Sequence, residues 1–228
     1  MYGALQKALP RPLRRYILHF EAAIEDAVRV FSHSLPDRTR VLDAGAGEGS
    51  YKEHFAQHRY VGLDLGIGDA AWNYSSLDVV ADLQQIPFDA ASFGGALSVV
   101  TLEHVREPAC VLAEIARVLE PGGRLLLVVP HEWEEHQEPH DYYRYTRYGL
   151  RYLLERAGLA VDSIEPVGGY FRLLSRRLLN GLQFFPGPLA LLAAVVLAPP
   201  AMLIPVFDGL DKRRNFTLGY ICLSRKIQ

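Results

Sequence analysis

The sequence predicts an α/β fold in which a doubly wound, mainly parallel sheet is flanked by helices. Short apolar segments alternate with stretches of helical periodicity, the first apolar segment runs into a glycine-rich turn, and an acidic residue closes the second. At 228 residues, half apolar and 22% charged, the chain is long enough for one substantial core and short for two full domains. A single domain, 1–228, with an insertion is therefore expected.

From Tyr16 to Phe31 the apolar residues Ile17, Phe20, Ile24, Val28 and Phe31 recur every three or four positions and share one helix face. Residues 1–35 read as an N-terminal helical cap. RVLDAG, YVGLDL, LDVVADL, GGALSVV and GRLLLVVP follow as five strands, apolar on both faces as buried parallel strands are. Ahead of the fifth, Pro108 to Leu119 carries Val111, Leu112, Ile115, Val118 and Leu119 at helical spacing, with Pro121-Gly122-Gly123 as its stop. A helix from Thr146 to Ala157 ends at Gly158 in the same way. LAVDSIEPVGG and FTLGYICLSRK are two further strands, separated by about 45 residues, far beyond an ordinary loop. This divides the chain into a core at 36–168, an apolar helical insertion at 169–214 and a last strand at 215–228. Neither a repeat nor a low-complexity tract occurs.

The formal net charge of -2 gives no positive field to gather nucleic acid. Cys110 and Cys222 stand far apart, which argues against both a disulfide framework and a structural zinc site and fits a reducing cytoplasm. Arg11, Arg14 and Arg15 precede a mixed helical pattern instead of an apolar run with a cleavage site, so no secretion signal is expected.

In Val41-Leu42-Asp43-Ala44-Gly45-Ala46-Gly47-Glu48-Gly49 the glycines alternate where a strand turns into a helix, so backbone can approach a ligand without interference from Cβ. Asp64 lies 19 residues after Gly45 at the end of the second strand, where a carboxylate can accept from both hydroxyls of a ribose. A dinucleotide site would carry glycine where Ser50 stands, and Asp43 would repel a pyrophosphate while suiting a cationic sulfonium. Both features count against a nicotinamide-dependent oxidoreductase.

Over roughly Arg40 to Gly158 this constellation resembles the class I S-adenosylmethionine (SAM)-dependent methyltransferases of the type 11 kind, whose first motif reads hydrophobic-hydrophobic-Asp-x-Gly-x-Gly-x-Gly. The resemblance implies a Rossmann-like sheet, mainly parallel with an antiparallel last strand, and the apolar helical insertion falls before that strand. It also implies SAM as cofactor. Asp43, Gly45 and Gly47 would line the methionine part, Asp64 the ribose, and Asp82-Leu83 the adenine edge and face; Ala46, Leu65, Ser98 and His104 complete the expected lining. The family often has an acid where Ser98 stands, so that acid's role does not transfer, whereas the turn Leu102-Glu103-His104-Val105 is kept.

The loop from Pro130 to Thr146 follows the fifth strand, and ligands in such sheets bind beyond the strands' carboxyl ends. Its His-Asp-Tyr-Tyr-Arg-Tyr-Thr run resembles that of methyltransferases of bacterial cell-surface glycan pathways. Methyl transfer from a sulfonium is an in-line displacement, and a hydroxyl acceptor must also lose a proton. His131 and His140 are the candidate bases. The acids can equally form a solvated loop face, with the tyrosines packing. His131 and His136 are five apart and no metalloprotease-type pattern occurs, so no metal is expected.

Residues 178–207 carry no charge, and Arg172, Arg176, Arg177 and Lys212 to Arg214 flank them. Pro186, Pro188, Pro199, Pro200 and Pro205 interrupt the run, leaving Leu189 to Ala198 as its uninterrupted helical piece. Helices joined near Pro199-Pro200 and lying on the inner face of the membrane are expected, presenting a lipid-linked acceptor; a core-covering pair, a homodimer interface and a true span remain alternatives. The function read from the sequence is SAM-dependent O-methylation of a saccharide, a lipid-linked glycan or another small or lipidic acceptor. The alternative from a different class is a non-catalytic membrane-associated scaffold that keeps the SAM site.

Overall fold

A computed structural model of the chain describes residues 10–68 and 71–227. The first nine residues of the expected cap and the last residue of the expected final strand lie outside them. Helices α1 (Arg11–Ile17) and α2 (His19–Ser34) lead into strands β1 (Arg40–Ala44), β2 (Arg59–Asp64), β3 (Val79–Val80) and β4 (Phe93–Val99). Then come α3 (Pro108–Val118), β5 (Leu119–Pro130), α4 (Arg147–Arg156), β6 (Leu159–Val167), α5 (Tyr170–Asn180), α6 (Pro188–Leu203) and β7 (Gly219–Lys226).

The seven strands form one sheet in the order β3-β2-β1-β4-β5-β7-β6. The pairs β2–β3, β1–β2, β1–β4 and β4–β5 are parallel. Between β6 and β7 the Ile227 N–H donates to Gly158 O and the Leu218 N–H to Val167 O, so the numbers fall on one strand as they rise on the other: this pair is antiparallel. The strand order reverses between β1 and β4, and a doubly wound sheet binds its ligand in the crevice at such a reversal.

Each unit of the chain has its own packing. Residues 24–165 with 220–227 form one compact unit, and 10–23 with 166–219 another. In the larger unit the core lies on one face of the central strands, with Leu42, Leu63, Phe93, Ala96, Leu125 and Leu127 packed against Val111, Leu112 and Ile115 of α3 and Leu150 and Leu154 of α4. Thr146 caps α4 by accepting the Gly149 N–H, and Gly158 takes the left-handed conformation after it, as the sequence suggested.

In the smaller unit Asp208 accepts the N–H groups of Gly169 and Arg172, and Asp211 that of Tyr170. Three amide donors at the start of α5 are thus met by carboxylates, which the dipole of the helix also favours.

Three expectations need correction. The lead-in helix is broken at Leu18. Pro121-Gly122-Gly123 does not separate helix from strand: α3 has already ended at Val118, and Phe93 pairs with Leu119 but Gly95 with Arg124, so these residues bulge from within β5. Pro199 and Pro200 do not join two helices but lie inside α6. Prolines forfeit hydrogen bonds to preceding carbonyls, yet here they fall in the last turns, where the Ser175 hydroxyl donates to Ala201 O and the Tyr16 hydroxyl to Met202 O. The chain instead turns between α5 and α6 at Gly181–Phe184 and at Gly187, which has φ +54°.

Candidate active site

A cavity of about 430 Å³ opens beyond the carboxyl ends of β1, β2 and β4. Its floor is the turn after β1. The N–H groups of Gly45 and Ala46 both donate to Leu63 O, which folds the turn back over β2. Gly45 has φ +92°, and a Cβ there would stand 2.2 Å from the Thr101 side chain, so glycine is required by conformation and by space. Gly47, at φ +53°, takes the left-handed conformation that favours glycine, beside the Trp72 ring.

The Asp64 carboxylate is fixed from two sides: Gly47 N–H donates to Oδ2 at 3.0 Å and Gly66 N–H to Oδ1 at 2.8 Å. Each oxygen has a second lone pair, so the group is pinned at the cavity edge and can still accept from a ligand. Asp82 is held through the Gln84 N–H, 2.8 Å from its Oδ1.

Gly45, Ala46, Gly47, Asp64, Leu65, Asp82, Leu83, His104 and His140 of the expected residues line this cavity. Asp43, Ser98 and His131 do not. Asp43 is buried beneath the turn, where Tyr60 OH donates to its Oδ2 at 2.7 Å and Oδ1 has no partner among the described residues. Burial pushes its carboxyl up to about 7, against the Tyr60 hydrogen bond, which acts to lower it. Ser98 is buried within β4, which removes it from direct ligand contact. His131 donates through Nδ1 to Tyr145 O at 2.8 Å and packs on Tyr220, away from the cavity lining.

Trp72, Thr101, Trp133, His136 and Gln137 also line the cavity, and sequence reasoning did not single them out. No spacing rule points to Trp72. His136 belonged to the right loop but was weighed only by its separation from other loop histidines.

That loop is fastened to the turn after β4. Tyr142 N–H and Tyr143 N–H donate to Glu103 O, His104 Nδ1 to His140 O, and Tyr145 OH to Leu102 O. Burial alone would raise Asp141, but the Arg144 guanidinium, 2.6 and 2.7 Å from its two oxygens, holds it at about 2. The turn and the histidine-rich loop therefore form one wall. Inside it Glu103 is fully buried, and neither carboxylate oxygen has a hydrogen-bond partner among the described residues. Burial pushes its carboxyl up to about 8.

A glycine turn with open backbone, a pinned carboxylate at the end of β2 and a second one after β3 fit an adenosine ligand. Comparison with known proteins agrees. Over 130 residues the chain is 30% identical to a malonyl-[acyl-carrier protein] O-methyltransferase of Erwinia pyrifoliae, covering 54% of this chain and 50% of that protein. The chain thus spans about half the length of this curated relative. Its fold resembles that of a Burkholderia thailandensis 1,6-didemethyltoxoflavin-N1-methyltransferase holding S-adenosylhomocysteine, at TM-score 0.58 and 20% identity over 100% of this chain and 89% of that one. It also resembles the [4+2]-cyclase SpnF, at TM-score 0.59 and 19% identity over 90% of this chain and 80% of that one. At these identities the structures speak for the fold alone.

Fold and site together resemble those of the class I SAM-dependent methyltransferases. Residues 42–127 match the family described as methyltransferase domain.

Proposed function

We propose that this chain transfers a methyl group from SAM to a hydroxyl on a saccharide, a lipid-linked glycan or another small or lipidic acceptor in the cytoplasm. The observation that carries the reading is the cavity in which the Gly45-Ala46-Gly47 turn, Asp64 and Asp82 meet the histidines of the loop. SAM, when bound, supplies an electrophilic methyl carbon. The chain's part is to hold that ligand along β1 and β2, exclude water with Trp72 and Trp133, and seat the acceptor against the loop wall. His140 is the proposed base among the two histidines first considered, because it faces the cavity and its Nδ1 lies 3.2 Å from Tyr142 OH. In chain order this loop follows β5, which suits a role at the acceptor.

A lipidic acceptor is favoured by α6, on which Leu191, Leu192, Val195 and Val196 are exposed, and Pro188–Leu210 is long and apolar enough to cross a membrane, its most apolar 18-residue stretch being only 17% buried. We propose that this segment lies on a membrane surface.

The test is transfer itself. Protein incubated with methyl-labelled SAM and short-chain glycolipids is expected to yield S-adenosylhomocysteine and a base-stable labelled ether, with kcat/KM reduced at least about 100-fold in Asp64→Ala. Tight SAM binding without transfer to any hydroxylated acceptor would overturn the enzyme reading in favour of a SAM-binding scaffold.

A further inference from the structure

We infer that Glu103, His104 and His136 form a binding site for a divalent transition-metal cation in the wall of the cavity. Two of these residues come from the turn after β4 and one from the loop after β5, so no sequence spacing unites them. His104 Nε2 lies 3.6 Å and His136 Nε2 4.0 Å from Glu103 Oε1, and one donor atom from each residue lies within 4.8 Å of the others. Donors about 2.1 Å from a tetrahedral ion stand about 3.4 Å apart, so modest closure of the three side chains would complete the shell.

The hydrogen bonds fix which atoms point inward. His104 Nδ1 is 2.7 Å from His140 O, and His136 Nδ1 is 3.1 Å from Glu134 O and 3.3 Å from Asp141 Oδ2. Those oxygens only accept, so each Nδ1 carries a proton, and in the neutral ring each Nε2 turns a lone pair toward Glu103. Anchoring the far ring nitrogen on a carbonyl or carboxylate is the arrangement that metal-ligating histidines have.

With both rings neutral, three acceptors converge with no donor among them. Glu103 and His104 Nε2 are buried without hydrogen-bond partners among the described residues. A single proton on Glu103 would serve at most one nitrogen, and neither lies within hydrogen-bond distance of its Oε1. A cation satisfies all three at once. The nearby positive charge, Arg144, is already matched by Asp141. Two imidazoles and one carboxylate suit zinc, manganese or iron(II) and leave positions open toward the cavity.

Resting on the transferase reading, the cation would hold the acceptor hydroxyl and ease loss of its proton. The freed oxygen pair then forms the O–CH3 bond while the C–S pair returns to sulfur, and the proton passes to His140 or water.

The test is titration of untagged, chelator-treated full chain with ZnCl2 by calorimetry, and with CoCl2 by visible absorption, without activity as a readout. One site of micromolar or tighter affinity is expected, with a tetrahedral cobalt band, weakened at least about 100-fold in His136→Ala and in Glu103→Gln. Should Glu103→Gln fold poorly, His136→Ala, whose side chain is partly exposed, still decides. Absence of binding, or equal affinity in His136→Ala, would overturn the site. S-adenosylhomocysteine is titrated into the same samples: zinc binding without nucleoside binding retains the metal site and removes the transferase reading, and the reverse removes the metal site alone.

Discussion

Asp43 shows how one side chain couples the glycine turn to pH. It is buried, accepts from Tyr60 OH at 2.7 Å, and burial raises its carboxyl to about 7 from an ordinary value of 3.8. The folded ligand-free state therefore favours the protonated acid, whereas the unfolded chain releases that proton near pH 4. The stability this preference contributes is fully present below the ordinary carboxylate range and is lost as pH rises from about 4 to about 7. Thermal melting between pH 5 and pH 8 is expected to show a falling midpoint, and Asp43→Asn is expected to flatten that part of the fall. A midpoint that rises through this range, with no difference in the variant, would contradict the assignment. Asp43 was legible in the sequence as part of the motif, but its burial was not: a strand residue's exposure depends on what covers the sheet.

Among the elements, the strands, α3 and α4 were legible because each carries its own pattern and punctuation. The tight turn at Gly45 was likewise legible, since positive φ and absent Cβ space demand glycine, but the helix expected after it is only a short 3-10 turn at Lys52–Phe55. What was missed depends on distant partners. Pro199-Pro200 read as a break, yet hydroxyls from Ser175 and Tyr16 satisfy the last-turn carbonyls. The capping of α5 by Asp208 and Asp211 spans about 40 residues of sequence and has no local signal. Asp208→Ala leaves the N–H groups of Gly169 and Arg172 without that carboxylate and should cost about 0.5–2 kcal/mol. Hydrogen exchange at those two amides should accelerate while the β4 and β5 amides keep their protection; unchanged exchange would show that the cap contributes nothing.

At the scale of the whole molecule, the sheet order with its reversal between β1 and β4 was legible in class, because parallel strands joined by helices admit few topologies. The loop wall was legible in location but not in content. Glu103 sits in a turn that reads as local structure, and only the fold sets it beside His136. The apolar face of α6 raises a prediction of its own: the chain should co-sediment with vesicles containing anionic lipid, and a Leu191→Ser, Val195→Ser variant should lose at least about tenfold in binding, since burying each apolar side chain is worth on the order of 1.5–3 kcal/mol. Equal sedimentation of the variant, or a stable dimer that leaves vesicles untouched, would assign the face to something other than lipid.

The central claim is that the cavity over β1 and β2 holds SAM through Asp64. Calorimetric titration of the full chain with SAM, S-adenosylhomocysteine and NAD, alongside Asp64→Ala, tests it most directly. Saturable binding of the first two, at least about tenfold weaker in the variant, and no binding of NAD is the predicted result. Failure of both SAM and S-adenosylhomocysteine to bind, or binding that Asp64→Ala leaves unchanged, would contradict the account.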